Sequence, residues 1–214
     1  MDVIEKFKKD VKNQEVILLG GGNSFNPEII PKLKNDKIIC LNAGSKFVPD
    51  ALAIAWMDSI WPAENEKLIT NHLAEYKFYI RDNVTTNKEI KGPYDSIYIN
   101  RISPYCDYST IKKGEMISVR GNNSGCCIID LLIQCQVSKI VLLGFDCKMI
   151  NRKSHFHKEY KHAMPPEIYT KQFIPCFENL SKYAKRANVD IVNLSTDSNL
   201  KCFKFESTEK YLSK

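Results

Sequence analysis

Four unbroken apolar runs constrain the fold of this chain more than any other feature of its sequence. They are "EVILLG" (15–20), "KIICLN" (37–42), "ALAIAWMD" (51–58) and "KIVLLG" (139–144), and each ends in glycine or a polar residue. A strand with one solvent-facing side alternates apolar and polar residues, whereas an unbroken run is typical of a strand buried on both faces of a parallel sheet. The runs therefore predict a parallel sheet that is covered on both sides.

Helical patterns lie between and after these runs. Helices are predicted at 26–34, 63–76 and 123–136 and, with a kink at a proline, at 169–184, and short strands at 77–80, 96–99 and 190–194. This alternation predicts an α/β protein, a single Rossmann-like doubly wound, mostly parallel sheet with helices on both faces. One domain over residues 1–214 is expected, because this length suffices for one sizeable core.

The composition is that of an ordinary globular protein. No apolar run reaches the roughly 18 residues needed to cross a bilayer. Residues 1–14 are charged and lack the apolar core of a signal peptide, which predicts a cytoplasmic protein. In that compartment the eight cysteines, which include no CxxC pair, are expected to be free thiols. The net charge of +6 is too small to indicate nucleic-acid binding, and the sequence leaves homo-oligomer formation open.

Glycines and polar residues after the first predicted strand are candidate site residues. In doubly wound sheets ligands bind at the carboxyl ends of the strands, where the strand order reverses. Gly21 and Gly22 let backbone N–H groups approach an anion, and Asn23 or Ser24 is placed to cap the following helix. The stretch lacks both GxGxxG and the lysine of a P-loop, so a purely structural turn is the alternative to a phosphate loop.

Asn42 and Asp58 follow the second and third predicted strands. A side chain in this position either caps the end of its strand by hydrogen bonding or selects the base or ribose of a nucleotide. The sequence leaves both interpretations open.

The stretch "RGNNSGCC" (120–127) predicts an anion-binding site. Asn123 and Ser124 fall where a helix begins, Gly125 permits close approach, and the helix N-terminus offers free N–H groups and partial positive charge. Arg120 adds a fixed cation nearby. A plain N-cap needs only one of these groups, so anion binding is favoured over capping alone.

Asp146 follows the clearest predicted strand, in "GFDC" (144–147). It is expected to bind a hydroxyl, hold Mg²⁺ or orient a histidine, with helix capping as the structural alternative. Residues 147–166 then form a long basic loop, and long irregular connections in compact domains are usually functional or disordered. The segment 148–171 has six Lys or Arg residues and two Glu, a net charge of +4 (6 − 2), which favours an anionic ligand.

Three of the four histidines, His155, His157 and His162, lie in this loop. His155 and His157 share one face of an extended chain, as metal ligands would, but His162 is poorly spaced and no carboxylate or thiolate completes a familiar ligand pattern. Imidazole titrates near neutral pH, so a general base or a phosphate contact is favoured, and no metal site is predicted. A solvated basic loop is the alternative without function.

Six motifs, taken in order, resemble those of bacterial CMP-sialic acid transferases of glycosyltransferase family 42, and more closely those of the domain-of-unknown-function 115 group. They are "GGGNSF", "LNAG", "RGNNSGCC", "KIVLLGFDC", "SHFHKEYKH" and "VNLSTDSNLKCF", from residue 16 to about 203. That group includes flagellin nonulosonic-acid transferases, archaeal 6-hydroxymethyl-dihydropterin diphosphokinases and many short phage-encoded proteins.

The resemblance implies functions for individual residues. The turn formed by Gly21, Gly22 and Asn23 would face the phosphate and ribose of a nucleotide. Ser124 and Gly125 match the Ser-Gly pair that holds the carboxylate of the donor sugar.

Further positions also match the family. Asn42 and Asp58 lie where those transferases contact the donor, and Arg120 matches an arginine just before the Ser-Gly pair. The catalytic histidine of the sialyltransferases lies in the loop after Gly-x-Asp, so the three loop histidines compete for that function.

The chain departs from the family at one position that bears on the donor. The sialyltransferases place a phosphate-binding tyrosine soon after Gly-x-Asp, whereas this chain has Cys147 there; Tyr160 or Tyr169 would substitute, or the donor differs. In the diphosphokinase branch, Asp58 and Asp146 would instead bind Mg²⁺-ATP.

The sequence therefore predicts a transferase, most simply a glycosyltransferase, that uses a nucleotide-sugar donor of CMP type and a hydroxyl acceptor, without a required cofactor. A loop histidine would deprotonate the acceptor, while Arg120, the helix N-terminus at Ser124 and the basic loop stabilise the departing phosphate or the acid group of the donor. The alternatives are a Mg²⁺-dependent pyrophosphokinase and a nucleotide-binding protein without catalysis.

Overall fold

A computed structural model describes residues 2–34, 37–82, 93–103, 118–149 and 165–213. The strands within these ranges are β1 Glu15–Leu19, β2 Ile38–Leu41, β3 Ala53–Trp56, β4 Tyr76–Asp82, β5 Ile97–Ser103, β6 Ser118–Arg120, β7 Lys139–Leu143, β8 Asp190–Asn193 and β9 Lys204–Phe205. The α-helices are α1 Val3–Val11, α2 Ile60–Glu64, α3 Glu66–Asn71, α4 Ser124–Gln134, α5 Ile174–Arg186 and α6 Thr208–Leu212. Three 3₁₀-helices (Pro27–Lys32, Asn42–Phe47, Pro93–Asp95) and a π-helical turn (Tyr169–Phe173) complete the described elements.

The nine described strands form one parallel sheet in the order β6-β5-β4-β3-β2-β1-β7-β8-β9. Strands β1 to β6 extend in one direction and β7 to β9 in the other, so the order reverses between β1 and β7. These two strands pair from Glu15↔Lys139 to Leu19↔Leu143. The sheet confirms the predicted Rossmann-like α/β fold and places its switch point at the carboxyl ends of β1 and β7.

Both faces of the sheet are buried, as the apolar runs predict. In β1, Val16 and Leu18 belong to one core, whereas Ile17 and Leu19 belong to the other. Helices α1, α4 and α5 contribute to the first core, and the 3₁₀-helix Pro27–Lys32 with α2 and α3 contributes to the second. An unbroken run is required here because successive side chains of a strand point to opposite faces.

Two helices differ in detail from the predictions. The helix predicted at 63–76 is divided at Asn65, whose φ of −125° is not helical, and the chain enters β4 at Tyr76. The kink predicted at Pro175 takes the form of a π-turn that precedes α5, in which the N–H of Ile174 bonds to the carbonyl of Tyr169. A proline early in a helix lacks the N–H that an ordinary turn would use, and π-turns accommodate such irregularities.

Candidate active site

Two backbone hydrogen bonds join the turns that follow β1 and β7. The N–H of Gly20 donates to the carbonyl of Leu143, and that of Gly22 donates to the carbonyl of Gly144, both at 2.8 Å. Gly144 has a φ of +69°, in the left-handed region that glycine adopts without strain. The pairing of the two strands therefore continues into the switch point and fixes the two turns against each other.

Gly22 is required by the close approach of Asp146. A Cβ atom at position 22 would lie 2.6 Å from the carbonyl oxygen of Gly144 and 2.7 Å from Oδ2 of Asp146. The N–H groups of Gly22 and Ser24 are bonded within the protein, to Gly144 and Asp146 respectively. Two donors of the predicted phosphate turn are thus used to hold the turn in place.

Asp146 is 2% exposed, and its two carboxylate oxygens have different surroundings. Oδ2 accepts a hydrogen bond from the N–H of Ser24 at 2.9 Å, whereas Oδ1 is buried and has no hydrogen-bond partner among the described residues. The side chain thus bridges to another turn instead of capping a helix. A buried carboxylate oxygen without a partner is costly and marks a position where a ligand can donate.

The last residue of β8 and the segment that follows this strand hold the backbone of the β7 turn. The carbonyl of Phe145 accepts from Nδ2 of Asn193 at 3.0 Å and from Oγ of Ser198 at 2.6 Å, and the carbonyl of Asp146 accepts from the N–H of Asn199 at 2.8 Å. Sequence reasoning placed this segment only within a family motif. Its structural function is to fix the position of Asp146.

Ser195, which follows β8, links its own segment to the turns that follow β1 and β7. Its hydroxyl accepts from the N–H of Phe145 at 3.2 Å and shares a hydrogen bond with the hydroxyl of Ser24, with 2.6 Å between the oxygens. The residue is 4% exposed. Sequence reasoning missed it, because no local pattern signals a contact between residues 171 positions apart.

Asn42 and Asp58 follow strands β2 and β3 and differ in function. Asn42 has a φ of +47°, and its Oδ1 atom is buried without a partner in the described part of the chain. In contrast, Oδ1 of Asp58 accepts from the N–H of Trp61, in the first turn of α2, at 2.6 Å. Asn42 thus retains a buried acceptor at the edge where ligands bind, whereas one oxygen of Asp58 is used locally.

The N-terminus of α4 lies against the β7 turn. Asn123 is the N-cap, its Oδ1 accepting from the N–H of Cys126 at 2.9 Å, and Ser124 is the first helical residue. A Cβ atom at Gly125 would lie 2.8 Å from the ring of Phe145. The predicted helix start is therefore confirmed, and the positive end of the helix dipole adjoins the switch point.

Arg120 lies on β6 and is 7% exposed. Its N–H donates to Oδ2 of Asp130 at 2.8 Å. Burial raises the pKa of the Tyr183 hydroxyl, Asp130 raises it further, and Arg120 lowers it. Arg120 thus has a buried acid and a tyrosine nearby; sequence reasoning missed Asp130, a single polar residue within an apolar helix.

Tyr169 lies in the π-turn and is 9% exposed. Burial is the main reason why the pKa of its hydroxyl is raised, and the nearby side chains of Cys147 and Asp146 raise it further. The hydroxyl is therefore close to the β7 turn. The other candidate tyrosine, at position 160, and the loop histidines at 155, 157 and 162 lie outside the described residues.

One prediction about the β1 turn is wrong. Neither Asn23 nor Ser24 caps the next helix, which begins at Pro27; its N-cap is Asn26, whose Oδ1 accepts from the N–H of Glu28 at 3.1 Å. Proline is favoured at the first helical position because it has no N–H to leave unpaired there. The sequence Asn26-Pro27, a capping residue followed by proline, therefore indicates where this helix begins.

Three observations bear on the remaining predictions. The seven cysteines in the described ranges are free thiols, as expected. Among the same residues, no group of three or more His, Cys, Asp or Glu side chains is arranged to hold a metal ion. No helix in this part of the chain is long and apolar enough to cross a membrane.

Comparison with known proteins supports the fold. No protein-family model and no curated protein matches the chain, so its resemblance to the domain-of-unknown-function 115 group and to the pterin diphosphokinases stays a prediction. Two solved structures with this fold are glycosyltransferases. The MAf glycosyltransferase from Magnetospirillum magneticum AMB-1 matches with a TM-score of 0.62 and 13% identity over 92% of this chain and 34% of its own, so this chain spans about a third of it.

The second structure is the sialyltransferase CstII from Campylobacter jejuni, in complex with cytidine-5'-monophosphate as a substrate analogue. It matches with a TM-score of 0.54 and 14% identity, over 93% of this chain and 87% of its own. At such identities the likeness shows the fold alone. The chain therefore has the α/β fold of these glycosyltransferases, with a polar, tightly braced switch point.

Proposed function

We propose that this chain is a glycosyltransferase of the sialyltransferase-like kind, which binds a nucleotide-activated donor at the switch point. One observation carries the proposal: two buried acceptor oxygens, Oδ1 of Asp146 and Oδ1 of Asn42, have no partner among the described residues. They follow β7 and β2, the two strands that flank β1. Two strand spacings amount to roughly 10 Å, about the width of a nucleoside, so both can accept from ribose hydroxyls or base amines.

The remaining donor contacts are proposed from the neighbouring turns. Gly21, Gly22 and Asn23 would face the phosphate and ribose, with the N–H of Gly22 bonded to the carbonyl of Gly144 and not to the donor. Ser124 with Gly125 would hold an acid group of the donor sugar. The second assignment is supported by the position of the α4 N-terminus against the β7 turn, where free N–H groups and the helix dipole favour an anion. A CMP-type donor is favoured because cytidine-5'-monophosphate is the ligand named for CstII.

The proposed chemistry is general-base catalysis. A histidine of the loop, at 155, 157 or 162, would deprotonate the acceptor hydroxyl, and the Tyr169 hydroxyl would donate to the leaving phosphate. Arg120 and the lysines and arginines of the loop would stabilise the negative charge that develops there. The proximity of Tyr169 to Cys147 and Asp146 supports its assignment.

A Mg²⁺-dependent pyrophosphokinase fits the described residues less well. Its ion would be held by Asp58 and Asp146, but β3 and β7 lie three strands apart in the sheet. Three spacings amount to roughly 14 Å, whereas oxygens bound to one Mg²⁺ each lie about 2 Å from it. In addition, Asp58 and Asp146 each have one oxygen bonded to a backbone N–H.

A nucleotide-binding panel tests the proposal. Thermal unfolding is measured with CMP, CDP, UDP, GDP and ATP, each with and without Mg²⁺, because a ligand that binds only the native state raises its stability. Stabilisation by CMP or CDP without metal supports the glycosyltransferase. Stabilisation by ATP only with Mg²⁺ would support the pyrophosphokinase, and no response to any nucleotide would contradict both.

A turnover measurement distinguishes a glycosyltransferase from a protein that binds the nucleotide without catalysis. Consumption of a CMP-sugar is followed in the wild-type chain and in alanine variants at His155, His157 and His162. Loss of turnover in one variant, with CMP binding retained, identifies the base. A wild-type chain that binds CMP but consumes no CMP-sugar, with or without sugar acceptors, would favour the binding protein.

A further inference from the structure

A cavity of about 270 Å³ opens beside the switch point, on the side of the sheet that carries the second core. It lies between the 3₁₀-helix Pro27–Lys32 and helix α6. Its apolar lining consists of Phe25, Ile29, Leu143, Leu194 and Leu212. Pockets for drug-sized ligands start at about 300 Å³, so this one suits a smaller molecule such as a single sugar ring.

The cavity shares a wall with the proposed donor site. Ser24 and Ser195 line it, and their hydroxyl oxygens are 2.6 Å apart. The N–H of Ser24 donates at the same time to Oδ2 of Asp146. Only Ser24 therefore separates a molecule in the cavity from the Asp146 carboxylate that would bind the donor.

The charged lining disfavours anionic ligands. Glu28 and Lys32 line it from the 3₁₀-helix and Glu209 lines it from α6, so these three side chains have a net charge of −1 in a chain whose net charge is +6. Carboxylates accept hydrogen bonds from hydroxyl and ammonium groups and repel other acids. Asn26 and Thr208 add polar atoms to the lining.

We propose that this cavity binds the acceptor of the transfer reaction, as one sugar ring that is uncharged or carries an amine. The inference rests on the proposed function. The proposed acceptor differs in charge from the donor sugar, which carries an acid group that is assigned to the N-terminus of α4. That helix packs through Phe145 on the other face of the sheet, so the two sugars would approach the switch point from opposite sides.

The proposed reaction exchanges one bond for another at the anomeric carbon of the donor. The acceptor oxygen forms a bond to the anomeric carbon of the donor as the bond between that carbon and the phosphate oxygen breaks. The nucleotide leaves with the electron pair, and the hydroxyl proton passes to the base.

Saturation-transfer NMR tests the inference, with methyl β-galactoside and glucosamine as probes and CMP present at saturation. Wild-type protein is compared with Leu212→Trp, which fills the cavity, and with Glu209→Gln, which keeps its shape and removes a charge. The control is Glu66→Gln, an exposed residue at the start of α3. We expect saturation of at least one probe, loss of the signal in Leu212→Trp, a several-fold weaker glucosamine signal in Glu209→Gln, and no change in the control.

The outcomes separate this inference from the proposed function. CMP-induced stabilisation of each variant is measured in parallel and should match that of the wild type, which also shows that the variants fold. CMP binding with no probe saturated, or with saturation unchanged by Leu212→Trp, would overturn the acceptor cavity and leave the donor site standing. Displacement of a probe by an intact CMP-sugar but not by CMP would assign the cavity to the donor sugar and would also overturn the inference. If CMP does not bind the wild-type chain, the proposed function itself is contradicted.

Discussion

The peptide N–H of Ser24 donates a hydrogen bond to Oδ2 of Asp146 at 2.9 Å, between residues 122 positions apart. The bond joins the turn after β1 to the turn after β7, so backbone geometry on both sides of the switch point fixes the carboxylate. The other oxygen, Oδ1, stays buried and unpartnered within the described structure. A fixed acceptor with one unused oxygen is what a ligand hydroxyl requires.

Asp146→Asn is expected to weaken CMP binding while the fold is retained. Asparagine has nearly the same shape, and its amide oxygen can still accept from Ser24, but an NH₂ group then replaces the unpartnered oxygen and the buried charge is removed. Loss of a hydrogen bond to a charged group costs about 1.5–3 kcal/mol, which corresponds to roughly 10- to 100-fold weaker binding. Calorimetric titration with CMP measures it. Asp190→Asn, at the amino end of β8, is the control, and equal affinities in the two variants would contradict the assignment.

Gly22→Ala is expected to lower the free energy of unfolding by about 1–3 kcal/mol, the usual cost of overpacking. The added methyl group would meet a backbone oxygen at 2.6 Å and the fixed carboxylate at 2.7 Å. Gly44→Ala is the matched comparison, because its nearest neighbour would be a side-chain atom, Cγ of Leu19, at the longer distance of 3.2 Å. Urea denaturation should show a clearly smaller loss for position 44; equal losses would mean that the turns adjust freely.

Ser198→Ala is expected to destabilise the protein by about 1–3 kcal/mol, because the change leaves the buried N–H of Leu200 without its partner and removes one of the two side-chain hydrogen bonds to the carbonyl of Phe145. The Ser198 hydroxyl donates to the carbonyl of Phe145 at 2.6 Å and accepts from the N–H of Leu200 at 3.0 Å. CMP affinity should fall as well, since the same contacts position Asp146. Ser213→Ala removes an exposed hydroxyl that bonds to the carbonyl of Lys210 and should be nearly neutral in both measurements.

The central fold could be predicted because double-sided burial leaves a direct mark on the sequence. Each of the four unbroken apolar runs contains one strand of the sheet, namely β1, β2, β3 and β7. The missed elements carry little such signal: β9 is two exposed residues, β6 is three residues at the sheet edge, and α1 is a charged helix that buries only Phe7 and Val11.

The candidate site could be predicted less completely. Strand ends can be read from the sequence, so the positions of Asp146 and of the glycines after β1, at the carboxyl ends of β7 and β1, could be predicted. Their partners were not, because the contacts of Ser195 and Ser198 with the β7 turn join residues about 50 positions apart. Local patterns report helix starts and turns, whereas such bonds depend on how strands are ordered in the sheet.

Tyr169→Phe is expected to lower the turnover of a CMP-sugar by roughly 100- to 1,000-fold, the effect of removing one preorganised donor to a developing charge. The variant should fold normally, because the ring of residue 169 keeps its edge-to-face contact with Phe173 at 5.8 Å. Tyr98→Phe is the control. Its ring packs against Tyr79 on β4, and β4 is separated from β7 by the three strands β3, β2 and β1. Unchanged turnover in the Tyr169 variant would remove the hydroxyl from the mechanism.

His72→Gln is expected to reduce the dependence of stability on pH. His72 is 8% exposed; its Nδ1 accepts from the N–H of Ala74 at 3.0 Å, and its Nε2 lies 3.1 Å from the carbonyl of Ser45, to which it donates in this tautomer. Burial lowers the pKa of His72 below its ordinary value of 6.5, an effect that its hydrogen bonds oppose only in part. The unfolded chain therefore binds more protons in mildly acidic solution.

The contribution of the neutral ring to stability is thus complete above a pH of about 6.5 and is lost as the pH falls through the lower pKa of the folded state. Urea denaturation of wild-type and His72→Gln protein at about pH 7.5 and about pH 5.5 measures the difference, to which the other titrating groups contribute equally in both proteins. The variant should be less stable by about 1–3 kcal/mol at the higher pH, because it loses a buried hydrogen bond, and the gap should narrow on acidification. A gap that stays constant or widens would show that the folded protein accepts a proton at His72 without penalty.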